Sequence, residues 1–165
     1  MGDYMHTNDY RKIKAAVITV SDTRTVETDT GGRTVREHLA ENRIEVSDHR
    51  IVKDDFTQIQ SAVEELIGQV DVIITTGGTG VAQRDVTIEA VRPLMDKEME
   101  GFGEIFRYLS YTEDVGTRAI LSRAFCGTKN KTVIFSIPGS VGAVNLAMKK
   151  LITQEVFHIV HELNK

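Results

Sequence analysis

Short apolar runs separate longer segments that have helical spacing. Three of these runs, "AAVITV", "VDVIIT" and "TVIFSI", are rich in β-branched residues. Runs of this kind are typical of parallel strands that are covered on both faces. A fourth segment, "EVSDHRIV", alternates imperfectly between apolar and polar residues. It predicts a more exposed strand, at an edge of the sheet.

Helical spacing is clearest in "DDFTQIQSAVEELIG". Its apolar residues follow the i, i+3, i+4, i+7, i+8 pattern of one helix face: Ile59, Ala62, Val63, Leu66 and Ile67. Gly68 is placed to cap the end of that helix. The segment therefore predicts an amphipathic helix packed on the sheet.

Other segments predict the remaining helices less sharply. "TVREHLAENRI" follows a loop, "TRTVETDTGGR". Pro93 limits a helix that begins near Asp85 to about Arg92, with a second segment ending near Gly101. In "FGEIFRYLSY" one face carries Phe102, Ile105, Phe106 and Leu109. The C-terminal "VGAVNLAMKKLITQEVFHIVHEL" predicts one helix, or two with a break near Thr153.

Strands and helices alternate in this order, which predicts an α/β domain with a mostly parallel sheet. Right-handed crossovers then place helices on both faces. No repeat or linker divides the chain of 165 residues. We expect a polar N-terminal arm at residues 1–13 and a single domain at residues 14–165.

Charge and composition exclude some classes of partner. The formal net charge is −4, so bulk electrostatics gives no reason to expect a nucleic-acid partner. The N-terminus has no apolar signal segment, and no apolar run is long enough to cross a bilayer. The single cysteine, Cys126, has no neighbouring base and is expected to be a buried or half-buried residue without a catalytic role. We expect a soluble, cytoplasmic protein without a membrane partner.

Polar residues follow each predicted strand at its carboxyl end. The first strand ends in Ser21 and Asp22, and the edge strand ends in "KDD", Lys53 to Asp55. The third strand leads into "TTGGTG" and the last into "SIPGS". Because parallel strands end on the same side of a sheet, these segments should meet at one rim, where ligands of open α/β sheets bind.

The segment "TTGGTGVAQRD", residues 75–85, is called the glycine loop below. Gly77, Gly78 and Gly80 would let backbone N–H groups approach a ligand closely, as an anionic group such as phosphate requires. The spacing matches neither the P-loop nor the dinucleotide-binding pattern. A tight turn without a ligand is the alternative. The turn "IPGS" would likewise let backbone N–H groups approach a ligand, and Ser140 is a candidate helix cap.

Carboxylates also collect at the predicted rim. Asp22, either Asp54 or Asp55, and Asp85 follow different strands. Hard oxygen ligands of this kind suit Mg²⁺, which normally arrives with the phosphates of a nucleotide. The alternative is that each aspartate only caps a helix.

Two other groups are expected to lie outside the site. His158 and His161 are one helical turn apart on the terminal helix, on a solvated face or one that contacts another subunit. Phe102, Phe106 and Tyr108 are expected to serve the core and an interface.

The ordered motifs "TTGGTG", "RDVT", "DKEMEGFGEIFRYLS", "AILSR" and "SIPGS" closely resemble those of the MogA/MoaB family of molybdenum cofactor biosynthesis proteins, most of all its MoaB branch. The resemblance runs from about Lys14 to Leu151. It implies a three-layer α/β/α sandwich that forms homo-trimers or hexamers. It also implies molybdopterin as the substrate, and adenylylation of its terminal phosphate with Mg²⁺ and ATP.

The resemblance also implies roles for particular residues. The catalytic and Mg²⁺-binding carboxylates map onto Asp54 and Asp85. The substrate-binding rim maps onto Ser21, Asp22, Thr76, Gly77, Gly78, Thr79, Gly80, Pro138, Gly139 and Ser140. Lys53 and Arg84 are the nearest cations that could offset developing charge. A molybdopterin carrier without catalytic activity and an oligomeric scaffold of the same pathway remain the alternative functions.

Overall fold

Six strands form one sheet in the order β2-β1-β3-β6-β5-β4. The computed structural model describes residues 12–165. The strands are β1 (Lys14–Val20), β2 (Glu45–Val52), β3 (Val72–Thr76), β4 (Lys97–Glu98), β5 (Phe125–Lys129) and β6 (Thr132–Ile137). β1, β2, β3 and β6 are parallel, and β5 and β4 continue the sheet antiparallel. The predicted mostly parallel α/β fold is confirmed.

Helices cover the sheet between the strands. They are α1 (Thr30–Glu41), α2 (Phe56–Leu66), α3 (Thr87–Val91), α4 (Glu100–Glu113), α5 (Val141–Ala147) and α6 (Thr153–Leu163). Short 3-10 segments span Arg92–Leu94 and Gly116–Leu121, and a π-helical segment, Met148–Ile152, joins α5 to α6. None of the helices in residues 12–165 is long and apolar enough to span a membrane.

The core has two halves, one on each face of the sheet. Alternate residues of β1 point to opposite faces, so Val17 packs with α1, α5 and α6 while Ile18 packs with α2 and α3. Strand β3 is buried along its whole length. The three-layer architecture therefore follows from strands that are apolar on both sides.

The predicted helix α2 and edge strand β2 are confirmed, although α2 ends at Leu66, so Ile67 lies just outside it and is only partly buried. Ile59, Val63 and Leu66 are buried on the inner face of α2, and Gly68 follows the helix with φ +84°. Glycine adopts that left-handed conformation without strain, here in a turn that the Gln69 N–H closes on the Leu66 carbonyl oxygen at 2.9 Å. β2 lies at the sheet edge, as its partial exposure requires.

The first helix begins earlier than predicted. α1 starts at Thr30, so Gly31 and Gly32 lie in its first turn rather than in the preceding loop. Asp29 caps the helix, because its carboxylate accepts the Gly32 N–H at 2.9 Å. The two glycines in the first turn therefore do not break the helix.

The region after the glycine loop differs most from prediction. α3 begins at Thr87, not at Asp85, and the expected second helical segment is replaced by a 3-10 turn and strand β4. β5 is likewise absent from the predicted pattern. On α4, Phe106 is buried but Ile105 is exposed, so the predicted apolar face holds only in part.

The predictions for the two ends of the chain concern the N-terminal arm and a break in the C-terminal helix. Ile13 is buried, so packing begins at the last residue of the predicted arm, and residues 1–11 of that arm lie outside the described residues. The predicted break near Thr153 coincides with the end of the π-helical segment. There the Thr153 hydroxyl donates to the Met148 carbonyl oxygen at 2.8 Å.

Candidate functional site at the carboxyl ends of the strands

A cavity of about 230 Å³ opens where β1, β3 and β6 end. Its lining comes from these strand ends and from the starts of α1 and α5: Thr19, Val20, Ser21, Arg24, Asp29, Gly31, Thr76, Gly77, Gly139 and Ser140. Cavities that enclose a whole small molecule are typically about 300–1,000 Å³. This one therefore has room for one end of a ligand.

Glycines form the cavity wall because the main chains touch. Gly77 has φ +93°, and a Cβ atom there would lie 2.4 Å from the Val20 carbonyl oxygen. A Cβ atom on Gly31 would lie 2.6 Å from the Gly139 carbonyl oxygen. Real Cβ contacts are essentially never that short, so β1, β3 and the two helix starts can approach only without side chains.

The first half of the glycine loop is fixed by Thr87 at the start of α3. Its hydroxyl donates to the Gly77 carbonyl oxygen at 2.9 Å, and its N–H donates to the Gly78 carbonyl oxygen at 3.1 Å. Gly78 has φ +72°, and a Cβ atom there would meet the Thr87 hydroxyl at 2.2 Å. The Thr87 N–H is therefore already committed, so the start of α3 offers less to an anion than predicted.

Asp85 closes the second half of the loop. Its carboxylate accepts the Ala82 N–H at 3.0 Å, and its own N–H donates to the Ala82 carbonyl oxygen at 2.9 Å. The carboxylate packs so closely on Gly80 that a Cβ atom there would lie 2.7 Å from an Asp85 oxygen. Asp85 therefore supports its own loop instead of capping α3.

Asp22 and Asp54 form a reciprocal pair at the ends of β1 and β2. The Asp22 N–H donates to the Asp54 carboxylate at 3.1 Å, and the Asp54 N–H donates to the Asp22 carboxylate at 3.0 Å. The pKa of Asp54 is raised above its usual range. Burial is the largest cause, and the charge of Asp22 is the next. Asp85 adds to this shift and Arg84 opposes it, so these side chains share one local field.

The choice between Asp54 and Asp55 is decided by geometry. Asp55 caps α2, because its carboxylate accepts the Gln58 N–H at 2.9 Å. Asp54 instead faces Asp22 at the rim. Lys53 is exposed next to this pair, and Arg84 is exposed in the glycine loop.

The remaining predicted rim residues divide into two groups. Ser21, Thr76, Gly77, Gly139 and Ser140 line the cavity, whereas Gly78, Thr79, Gly80 and Pro138 lie beside it along the chain. Ser140 caps α5 as predicted, accepting the Ala143 N–H at 3.2 Å. The Ser21 hydroxyl accepts the Thr23 and Arg24 N–H groups and so shapes the loop after β1.

Asp29 is a cavity residue that the sequence reasoning missed. It is almost wholly buried, and its carboxylate accepts the Thr19 hydroxyl at 2.6 Å in addition to the Gly32 N–H. His49 of β2 lies 3.1 Å from the same carboxylate. The signal was present in "DTGG", an aspartate directly before a helix start, but the glycines there suggested a loop.

The acidic rim does not form a complete metal site by itself. Within residues 12–165, no group of three or more His, Cys, Asp or Glu side chains could hold a metal ion. Mg²⁺ usually needs only one or two carboxylates, because water and substrate phosphates supply its other ligands. Burial is the main cause of the raised pKa of Asp54, and the charge of Asp22 adds to it.

His158 and His161 on α6 and Phe102, Phe106 and Tyr108 on α4 do not line the cavity, as expected. His158 is near Glu155 and Glu162 on α6, at 3.6 and 3.5 Å. Cys126 is buried in β5, and burial raises the pKa of its thiol well above the usual range. Neither lines the cavity.

Comparison with known proteins identifies the family. Residues 16–158 match the family described as "Probable molybdopterin binding domain". The chain belongs to this family of molybdenum cofactor biosynthesis proteins. Molybdenum cofactor biosynthesis protein B of Staphylococcus aureus (strain COL) is 60% identical over 168 aligned positions that cover all of both chains. Its counterpart in Staphylococcus carnosus (strain TM300) is 61% identical over 158 positions, 94% of this chain and 93% of that one.

Solved structures of family members have the same fold. A structure of a molybdenum cofactor biosynthesis protein B superposes with a TM-score of 0.89 at 52% identity, covering 93% of this chain and 97% of the other. The tungsten cofactor synthesizing protein MoaB from Pyrococcus furiosus superposes with a TM-score of 0.84 at 40% identity, covering 94% of this chain and 99% of its own. The domain of this chain is therefore a molybdopterin-binding domain.

Proposed function

We propose that this protein binds molybdopterin at the rim and transfers an adenylyl group from ATP to its terminal phosphate, with Mg²⁺. Family membership supplies the substrate class. The observation that carries the catalytic part is the acidic group of Asp22, Asp54 and Asp85 next to a cavity walled by main chain. A binding site alone would not need carboxylates beside a phosphate, because like charges repel.

In this proposal the cavity holds one end of the pterin substrate. Gly31, Gly77 and Gly139 offer main-chain surface at close range, and Arg24 and Ser21 add polar groups. The rest of the substrate lies along the glycine loop. Backbone N–H groups suit a phosphate, because they carry partial positive charge without a full side chain in the way.

The reaction is a nucleotidyl transfer. A phosphate oxygen of the substrate forms a bond to the α-phosphorus of ATP, the bond between the α- and β-phosphates breaks, and pyrophosphate leaves with the electron pair. Asp54 and Asp85 would hold Mg²⁺, and a bound Mg²⁺ would supply charge neutralisation at the phosphates. The protein's own contribution is to position the two phosphates, and Lys53 and Arg84 could offset developing charge.

One incubation tests the proposal. The purified protein is mixed with molybdopterin, ATP and Mg²⁺, and the adenylate is separated by chromatography. We expect adenylate that disappears on chelation and is mostly lost in Asp54→Ala and in Asp85→Asn. Asp55→Asn is the matched control, because Asp55 caps α2 and asparagine caps a helix equally well.

The other outcomes separate the alternative functions. Bound molybdopterin without adenylate, at any Mg²⁺ concentration, would make the protein a carrier. No affinity for molybdopterin would leave a scaffold whose interfaces matter more than Asp54 or Asp85. Full activity of Asp85→Asn would overturn the assignment of the carboxylates.

We also propose that the protein is a homo-oligomer, either a trimer or a hexamer, assembled through an exposed apolar face on α4. Ile105, Tyr108 and Tyr111 recur every third residue and are all more than half exposed. The 3-10 segment packed against α4 adds Ile120, which is 82% exposed, and Leu121. A contiguous face of this kind in a soluble chain is typical of a protein interface.

A further inference from the structure

Residues 80–85, the second half of the glycine loop, accept hydrogen bonds from one side chain outside the loop. Arg123 donates from Nε to the Gly80 carbonyl oxygen at 2.8 Å and from Nη2 to the Asp85 carbonyl oxygen at 3.0 Å. Its backbone N–H also donates to the Thr79 carbonyl oxygen at 2.9 Å. Among the hydrogen bonds of residues 12–165, no other side chain outside the loop reaches residues 80–85.

The Arg123 side chain is itself held in place by Glu89 of α3. Both terminal nitrogens of the guanidinium donate to the Glu89 carboxylate, Nη2 at 3.1 Å to one oxygen and Nη1 to the other. This two-point contact fixes the plane of the guanidinium, which then points its remaining donors at the loop. Hydrogen bonding to Arg123 is the main cause of a lowered pKa of Glu89, which stays ionised near neutral pH.

The loop has little else to hold its shape. Residues 81–84 are exposed, and the bonds between Ala82 and Asp85 are internal to the loop. The position of the Asp85 carboxylate depends on that internal turn and on its close contact with Gly80. Arg123 holds the carbonyl groups of both Gly80 and Asp85, so it sets the two ends of the segment that carries the acid.

We propose that Arg123, oriented by Glu89, is a positioning residue that fixes the Asp85 carboxylate for Mg²⁺ and the substrate phosphate. It approaches the loop from a second cavity, of about 540 Å³, between α4 and β5, so it need not contact the substrate. This inference rests on the proposed adenylyl transfer. Lysine would not replace the arginine, because a single ammonium group cannot serve two carbonyl oxygens and a carboxylate in this planar arrangement.

Three variants and one control test the proposal. Arg123→Met removes the donors and keeps much of the side-chain length, Arg123→Lys keeps the charge, and Glu89→Gln removes the charge that orients the guanidinium. The control is Arg92→Met. Arg92 lines the same cavity but pairs with Glu98 at 3.0 Å and lies 5.2 Å from the Phe125 ring, without contact to the loop.

The first readout needs no activity. Hydrogen exchange of the Ala82 and Asp85 amides should become about 10–100-fold faster in Arg123→Met, while the amides of β1 and β3 keep their rates, because only a local opening is made easier. The second readout is the Mg²⁺ concentration that gives half-maximal adenylylation. It should rise about 10-fold in Arg123→Met, with kcat largely restored at saturating Mg²⁺. Arg92→Met should change neither value.

Each contrary result has a distinct meaning. Unchanged exchange at Ala82 and Asp85 in Arg123→Met, or an equal change in Arg92→Met, would overturn the proposal. If Arg123→Met does not fold, the same exchange comparison is made with Arg123→Lys and Glu89→Gln, where a change confined to the loop supports the proposal and a uniform change overturns it. If the wild type makes no adenylate, the proposed function fails, and the exchange result still decides whether Arg123 positions the loop.

Discussion

Asp22 and Asp54 each accept a hydrogen bond from the backbone N–H group of the other, at 3.1 and 3.0 Å. The exchange joins the end of an inner strand, β1, to the end of the edge strand, β2. It also places the two carboxylates beside each other, and burial together with the charge of Asp22 raises the pKa of Asp54. A raised pKa next to a cavity that Ser21, at the same strand end as Asp22, helps to line is characteristic of a functional site.

We expect Asp54→Asn to stabilise the free protein at neutral pH. The raised pKa means that the folded state holds this proton more tightly than the unfolded state does, so stability falls as the pH rises from the ordinary aspartate range through the pKa of Asp54. Asparagine removes the charge and still accepts the Asp22 N–H. The gain should be on the order of 2 °C in Tm.

Thermal unfolding at several pH values measures this effect. The difference between Asp54→Asn and wild type should vanish at about pH 3, where the carboxyl groups are largely protonated. Mg²⁺ should raise the Tm of the wild type and not that of the variant. Asp55→Asn controls for the change of residue type, and a gain in that variant as large as in Asp54→Asn would contradict the explanation.

Gly77→Ala should be much more harmful than Gly68→Ala. Both glycines have positive φ, +93° and +84°, so both substitutions carry a backbone strain of about 1–2 kcal/mol. At Gly68 nothing lies within 4 Å of the new Cβ atom, whereas at Gly77 the Val20 carbonyl oxygen lies 2.4 Å from it. Gly77→Ala should therefore lose roughly 1–3 kcal/mol more in the free energy of unfolding.

Denaturant unfolding of the two variants isolates the steric part of that loss, since the conformational part is shared. A separate binding measurement with molybdopterin should show weaker binding for Gly77→Ala and an unchanged affinity for Gly68→Ala. Equal losses of stability in the two variants would show that β1 and the glycine loop can move apart freely.

Cys126 should resist thiol reagents in the folded protein. Its side chain is buried in β5, and burial raises the pKa of the thiol, so almost no thiolate forms at neutral pH. Raising the pH to about 9 should accelerate labelling of the unfolded chain and leave labelling of the folded chain slow. The measurement is the rate of reaction with a chromogenic disulfide, with and without denaturant. Rapid labelling without denaturant would mean that β5 opens readily.

A charge on α4 should break the proposed oligomer. Tyr108→Glu or Ile105→Lys places a charge on the exposed apolar face, where an interface would desolvate it. Size-exclusion chromatography with light scattering should show smaller species for both variants. Val26→Lys is the control, because Val26 is also exposed but lies in the loop before α1. An unchanged mass in both α4 variants would place the interface elsewhere.

β1, β3 and β6 were predictable because each is apolar on both faces, and β2 because its imperfect alternation marks an edge strand. β5 was not, since its "FCGTK" is buried by neighbours that are distant in the chain. Met95, for example, packs so closely on Gly127 that a Cβ atom there would lie 2.7 Å from it. Small or polar residues become core only after the fold has formed, so periodicity does not identify them.

The candidate site was predictable to a similar degree. The glycine loop and the acids could be located because they follow strands, and the carboxyl ends of parallel strands share one rim. From spacing alone the roles of Asp54 and Asp55 could not be separated, since both stand between a strand and a helix, and only the family resemblance indicated Asp54. Their separation depends on backbone direction, which turns one carboxylate towards Gln58 and the other towards Asp22.

The contact between Gly31 and Gly139 brings the starts of α1 and α5 together through main-chain atoms. Every residue type has those atoms, so the surface offered to a ligand there does not depend on which side chains surround it. Substitutions elsewhere in the two helices can accumulate without altering that surface. A single added methyl group at Gly31 would separate the helix starts. The smallest side chain larger than glycine would therefore already change the shape of the cavity.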